Sequence, residues 1–571
     1  MHRDNAVKKI FWKNILRAIE IVRDICYNQI YSLEIIRKEV SRMRSVRKTA
    51  ALALACIMLA GCASGGKTEE SKPLGAPDTS SAGMEKQTPE PAEMPMINIQ
   101  TKSTDSKVMD FVTEPVAYHV SEAIASWTPD YEFPPEPYYE DCTVSVTDAE
   151  GKTVLDSADA AVKVRGNWTT TYRKKPLRIK FAEKHSMPGM NDGKEYKNWL
   201  LLAGFKDISL LRDKTALRIA DELLGKDGYY ASDAQFAEVT INGEYWGVYL
   251  LAEQQQVKKG RVEITAAEKD YTGTDIGYLL EYDGYYINEK SLDQFTIDYH
   301  NDGPLKPYDG KGGKRLAHPT SEGKNMNGFS IKSDIWSQEQ HDFIKRFTEN
   351  VYDIMYEAGV NGKAYVMSED YSEIMEDSSI TPQEAVERVV DVQSLADSYI
   401  LAELTCDADI YFSSFYMDVD FGEGGSKKLR FEAPWDFDSG LGNKDRCLDG
   451  KGWYAGNLVP DVNGEWDDMC NPWLMVLVNE GWYRDIVRKR WTTLYDSGAF
   501  DRALNMISED TAKYEAAFER NYERWDNIRN NEAVSEWSKK AAACTSQKQA
   551  AEFLADWLSS RVVFLNSEWH T

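Results

Sequence analysis

The chain has 571 residues, 42% of them hydrophobic and 28% charged, which is enough apolar material for more than one packed core. Its formal net charge is −26, and residues 1–61 hold 12 Lys/Arg against 5 Asp/Glu, so the remainder is more acidic still. Such a surface repels phosphate backbones and anionic headgroups, which argues against nucleic-acid binding. The eight cysteines show no CxxC pair or metal-finger spacing, and the seven histidines are dispersed. Cys447 with Cys470 is the one disulfide considered; the sequence alone does not establish it.

Met43 to Lys48 is basic, Thr49 to Leu59 is apolar and too short to span a bilayer comfortably, and Leu59-Ala60-Gly61-Cys62 follows. Small residues ahead of a cysteine suit a peptidase cut, and the thiol suits lipid attachment. This reads as a bacterial lipoprotein signal, with the mature chain lipid-anchored through Cys62 outside the cytoplasmic membrane. Residues 1–42 precede that signal and read as an upstream start, with Met43 the true one. Gly65 to Pro95 is polar, without an apolar period, and is expected to be a flexible tether. The expected organisation is signal and extension at 1–61, tether at 62–96, a strand-rich unit at 97–253, a second unit at 254–500, and C-terminal helices at 501–571.

In chain order, Cys142–Thr147 and Ala160–Val164 alternate around a turn at Asp148–Gly151 and predict two strands. A basic polar loop spans Arg165–Pro176, then a strand is expected at Leu177–Phe181 and a short apolar segment at Asn198–Leu202. Apolar spacing over Leu210–Leu224 predicts a helix. Asn242-Gly243 between Ala237–Ile241 and Glu244–Ala252 is a strong hairpin signal. A strand at Gly277–Tyr282 and a Gly/Lys-rich loop at Lys306–Arg315 follow. Helices are expected at Gln338–Glu357 and Ser379–Cys406, the second with a cap-like start at Thr381. Ser414–Val419 and Lys428–Ala433, joined at Gly422–Gly425, read as a hairpin. From Trp473 the chain reads as helical to its end.

Two clusters carry possible chemistry. The hairpin brings Asp409 toward Asp436 and Asp438, hard oxygen donors that suit Mg²⁺. Paired solvated loops in an acidic protein would look the same. Arg165, Arg173, Lys174, Lys175, Arg178 and Lys180 crowd a short stretch against the global charge, which suits an anionic ligand such as a polyphosphate. A solvated basic face paired with local acids would also fit. No phosphate-loop, kinase-loop, GxSxG or HExxH motif is present.

The order of elements is that of a protein kinase: strands with a Lys, a helix, two strands, an Asp loop, then a metal-type Asp beside Phe. The stretches VKVRGNWTTTYRKKPLRIKF, NWLLLAGFKDISLLRDKTALRIADEL, FAEVTINGEYWGVYLLAEQ, GYLLEYDGYY, YILAELTCDADIYFSSFYMD, LRFEAPWDFDSGLGN and WLMVLVNEGWYRDIVRKRW resemble the CotH (spore coat protein H) kinases, from about Tyr139 to Trp491.

The resemblance implies an α+β, two-lobed atypical kinase fold with a strand-rich N-lobe, a helical C-lobe and an extra helical C-terminal region. It implies ATP and Mg²⁺ as cofactors and a protein Ser/Thr acceptor. By motif, Asp409 would accept the hydroxyl proton, while Asp436, with Asp438 as second candidate, would hold Mg²⁺. Lys180 or Lys175 would neutralise phosphates, Arg165 and Asn167 would lie over them, and Glu222 would pair with the Lys. Leu250–Glu253 would form the hinge. Ser413 and Ser414 stand where kinases commonly place an Asn, which keeps open a non-catalytic, kinase-shaped envelope lipoprotein. A glycan protein is a third class, since the chain has sixteen Trp and a Glu432/Asp436 pair.

Overall fold

The computed structural model describes residues 94–105, 108–320, 327–459, 469–528 and 537–571. The signal segment, Cys62 and nearly all of the expected tether lie outside the described residues. Among the described residues, no helix is long and apolar enough to cross a membrane. Helix and strand are mixed throughout.

Seven strands close into a barrel: β1 (Met96–Thr101), β2 (Glu140–Thr147), β3 (Thr153–Val164), β4 (Leu177–His185), β5 (Tyr196–Leu202), β6 (Ala234–Ile241) and β7 (Glu244–Glu253). The order is β1-β2-β3-β4-β5-β7-β6, with β1 closing on β6 in parallel and the other pairs antiparallel. Period-two alternation sets the interior. On β4, Leu177, Ile179 and Phe181 point in, and they meet Val162, Val164, Trp199, Leu201 and Tyr249 in one core. Asn242 and Gly243 both have positive φ, 53° and 78°, as a two-residue hairpin with the strands' own twist requires. α1 (Tyr118–Trp127) precedes β2, and α2 (Arg212–Leu223) lies between β5 and β6.

A four-stranded sheet stands beside the barrel in the order β13-β8-β10-β9, from β8 (Gly277–Asp283), β9 (Gln294–Phe295), β10 (Gly328–Ile331) and β13 (Phe415–Asp420). β11 (Tyr365–Met367) and β12 (Ile374–Glu376) form a separate two-stranded sheet. Helices α3 (Gln338–Tyr356), α4 (Pro382–Val389) and α5 (Val392–Thr405) share a large core with that four-stranded sheet. The single helix expected over Ser379–Cys406 is two. Thr381 forms a capping box with Glu384, then Val390 turns extended and bridges Leu429, and Asp391 caps α5.

The expected hairpin is also reduced. Its second arm is not a full strand but a single antiparallel bridge between Asp418 and Arg430. The alternation was there, but Leu429 pairs in parallel with Val390 instead, so one residue serves each neighbour.

The C-terminal helices are α6 (Gly481–Asp496), α7 (Ala499–Lys513), α8 (Glu515–Arg524) and α9 (Gln547–Trp569). They hold both halves of the body. Asn521 of α8 accepts from Val248 N (3.1 Å) and from Lys174 Nζ (2.9 Å), and Trp525 Nε1 donates to Trp246 O (2.6 Å) on the barrel. Arg561 of α9 is buried against Glu403 of α5.

Candidate active site

Between barrel and sheet lies a cleft of about 1340 Å³, larger than a small-molecule site needs. Its floor is acidic. Asp409 begins a single 3₁₀ turn just after α5, and the turn is pinned by its own backbone bonds. Phe412 N and Ser413 N both donate to Asp409 O, at 2.7 and 2.8 Å. Asn471 Nδ2 and Asn327 Nδ2 hold the carbonyls of Ile410 and Tyr411, at 2.9 and 2.7 Å. Asp436 and Asp438 stand on the loop after Arg430, where Ala433 and Asp436 both take left-handed φ, 62° and 68°. Left-handed non-glycine residues are costly and cluster at functional sites. One carboxylate oxygen from each of Asp409, Asp436 and Asp438 lies within 4.8 Å of the others.

Two more groups complete the floor. Asp213, in the first turn of α2, accepts from Phe437 N at 2.8 Å and so fixes the Asp436–Asp438 loop. Lys206, in the loop after β5, binds Asp438 at 2.8 Å and donates to Ser439 Oγ at 2.7 Å. Burial, then the charges of Asp438 and Asp409, push the Asp436 carboxyl up to about 7, against the pull of Lys206 and Arg165. Burial, then the charges of Asp438 and Asp436, push Asp213 well above the carboxylate range. Asp407, fully buried, keeps an oxygen without a hydrogen-bond partner among the described residues, and it is raised by burial and by Asp409.

A divalent cation fits this donor set. Three hard oxygens converge on one point, an orphaned buried carboxylate oxygen stands behind them, and the repulsion that raises Asp436 is what a cation relieves. Ser414 Oγ reaches Asp436 Oδ2 at 3.4 Å, so the hydroxyl that stands in place of an Asn does face this cluster.

The opposite wall is basic. Lys163 on β3 and Arg178 on β4 are direct cross-strand partners on the barrel's outer face, and Arg165 follows two residues after Lys163. Like charges opposite one another repel. Burial lowers both, and each is lowered further by neighbouring cations. Among the described residues none of the three has a carboxylate ion pair. Arg178 binds the Asn198 amide, Lys163 lies over Tyr139, and Arg165 lies over Trp435. Gly166, at φ 100°, turns the loop into the cleft, and a Cβ there would run into Thr169 Oγ1. Trp435 packs with Leu200 and Ala252 as an apolar patch on the same wall.

The structure thus brings Asp409, Asp436, Asp438, Arg165, Asn167 and Arg178 to one cleft and leaves Lys175, Lys180, Glu222 and Glu253 outside it. Lys180 is exposed, two residues beyond Arg178 on the same face, over Tyr139. Lys175 is buried, and its ammonium bonds to Thr170 O. Glu222 pairs with no cleft lysine; it binds Arg502 (2.8 Å), Arg218 (2.8 Å) and Lys226. Glu253 is a buried partner of Arg261 at 3.1 Å, and the cleft wall begins one residue later at Gln254. Glu432 lies off the cleft too, beside Arg430 and Tyr230 N, which removes the paired-carboxylate basis of a glycosidase.

Sequence reasoning named Arg178 only within the basic cluster, and it missed Lys206 and Asp213 as floor residues. Arg178 had a signal, since alternation puts it on the face opposite Leu177 and Ile179. Lys206 and Asp213 had none that separates them from a loop lysine and a first-turn acid.

No curated protein matches the chain at a significant level. The family model described as CotH kinase protein matches residues 162–565, which takes in both walls of the cleft and the C-terminal helices well past Trp491. The chain belongs to the CotH kinase protein family.

Proposed function

We propose that this cleft is a phosphotransferase site. It transfers the γ-phosphoryl group of ATP, with Mg²⁺, to a protein Ser/Thr hydroxyl. The observation that carries the reading is the pair of facing walls. Three cations without carboxylate partners among the described residues stand across from three convergent carboxylates, and a polyphosphate with a divalent ion complements both. In this reading the barrel is the N-lobe of a kinase-like pair, the sheet and helices are the C-lobe, and Gln254 to Lys258 are the hinge.

Arg165, Arg178 and Lys163 bind and orient the phosphates, and the Gly166 turn lets backbone approach them. Trp435, Leu200 and Ala252 offer the flat apolar surface a purine needs. Asp436 and Asp438 are the residues that would hold Mg²⁺, which when bound shields phosphate charge. Asp409, kept rigid by its 3₁₀ turn, accepts the proton of the acceptor hydroxyl. Lys206 holds Asp438 in place and keeps positive charge beside Asp436. Lys180 takes no part. The acceptor meets the site outside the cytoplasmic membrane, where Cys62 carries the lipid anchor.

Calorimetric titration of ATP into the full chain tests the reading. Binding is expected only with a divalent ion, is lost in Asp436→Ala and persists in Asp409→Asn. Absence of nucleotide binding with every divalent ion tried would overturn it.

A further inference from the structure

α5 ends at Thr405, and Cys406 caps it in the left-handed region at φ 47°. Its Sγ points back to Glu403 O at 3.4 Å. Cys447 is also left-handed, at φ 43°, and its Sγ faces Gly452 O at 3.8 Å. The Arg561 guanidinium binds both of those carbonyls, Glu403 O at 2.7 Å through Nη2 and Gly452 O at 2.6 Å through Nη1. The two sulfurs therefore flank one buried cation, and each thiol shifts the other's titration.

The other described cysteines are elsewhere. Cys142 is in the barrel core, Cys544 packs with Ile208 and Ala550, and Cys470 sits among Tyr282, Tyr299 and Tyr352. The Cys447–Cys470 bridge considered from the sequence is not formed, and all five described cysteines are thiols.

We propose that Cys406 and Cys447 are a disulfide-forming pair whose oxidation closes the loop bearing Asp409, Asp436 and Asp438. The bond would join the residue three before Asp409 to the stretch after Asp438, so both halves of the acidic floor would be tied at their base. This inference does not depend on phosphoryl transfer.

The two thiols differ in a way that orders the steps. Cys447 is part-exposed, and the hydrogen bond from Cys406 holds its thiol below the usual range; burial pushes Cys406 well above it. With a disulfide oxidant such as oxidised glutathione, the Cys447 thiolate attacks one glutathione sulfur and expels a glutathione thiolate. The Cys406 thiolate then attacks Cys447 Sγ and expels the second. One S–S bond breaks and one forms, two thiol protons pass to the two glutathione thiolates, and the protein is oxidised by two electrons.

The test uses the full chain, reduced, freed of reductant, incubated with oxidised glutathione, alkylated after denaturation and cut with trypsin. The expected product is the Cys447–Lys451 peptide linked to the peptide that carries Cys406. The oxidised protein should melt about 2–4 °C above the reduced one. Cys447→Ser should abolish both the link and the shift. Recovery of Cys447 bound to glutathione alone, joined to Cys470, or still alkylatable would overturn the proposal.

Discussion

Arg561→Met removes a guanidinium that is 0% exposed and makes five hydrogen bonds. Three go to Glu403, to its carbonyl (3.0 and 2.7 Å) and to its carboxylate (2.7 Å); two go to Gly452 O and Gly450 O. Met fills much of the space, so the loss is electrostatic rather than a cavity. Glu403 keeps bonds from Tyr454 N and Ala455 N but becomes a buried carboxylate without a cation. Breaking a buried pair on one side costs about 3–5 kcal/mol. Glu403 is raised by burial even with Arg561 present, so protonation limits the loss toward the lower figure.

The assay is denaturant unfolding followed by fluorescence of the sixteen tryptophans. Glu403→Gln in the Arg561→Met background removes the lone charge and should recover at least about 1 kcal/mol of the loss. A single-variant loss below about 1 kcal/mol, or a double variant as unstable as the sum of its parts, would refute the reasoning. α5 leads directly into Asp409, so divalent-ion affinity should weaken along with stability.

Arg178→Ala and Lys163→Ala should each weaken ATP binding about 10- to 100-fold in calorimetry, from lost charge-assisted contacts. Lys180→Ala should leave it within about twofold. Glu222→Gln should cost about 1–2 kcal/mol by unfolding, since its Arg502 partner is partly exposed, and should leave ATP affinity intact. Arg502 holds the Glu222 carboxyl down at about 2, so that stability is present above about pH 4 and is lost as pH falls from 4 to 2. Asp436 runs the other way. Its folded value near 7 exceeds the ordinary carboxylate value, so its contribution to stability is complete below about pH 4 and is lost as pH rises through 7. Protons and divalent ions compete for it. Mg²⁺ affinity measured by titration should rise about tenfold per pH unit below about 7 and then level off.

Strands β2, β3, β4, β6 and β7, α2, α3 and the Asn242-Gly243 hairpin were legible because each is a local pattern with a clear period, whereas β1 was not read and β5 was read only as a short apolar segment. The acidic floor was legible as well, because a strand and a Gly turn bring Asp409 toward Asp436 over a short stretch of chain. What failed were pairings set by tertiary context. Glu222 looked like an ion-pair partner for a cleft lysine, but α7 supplies Arg502 from a distant part of the chain. Lys180 and Arg178 lie on the same face of β4, and only the position of the cleft edge separates them. The break at Val390 appears because Leu429 takes a bridge there, which helical spacing over Ser379–Cys406 does not report.

The most direct measurement is transfer from γ-labelled ATP, with Mg²⁺, to the full chain itself and to dephosphorylated casein, compared with Asp409→Asn. The account predicts acid-stable phosphoserine or phosphothreonine with the unaltered chain and almost none with Asp409→Asn, although that variant still binds ATP. Equal labelling by both proteins, or tight ATP binding with no transfer from the unaltered chain to either acceptor, would contradict it.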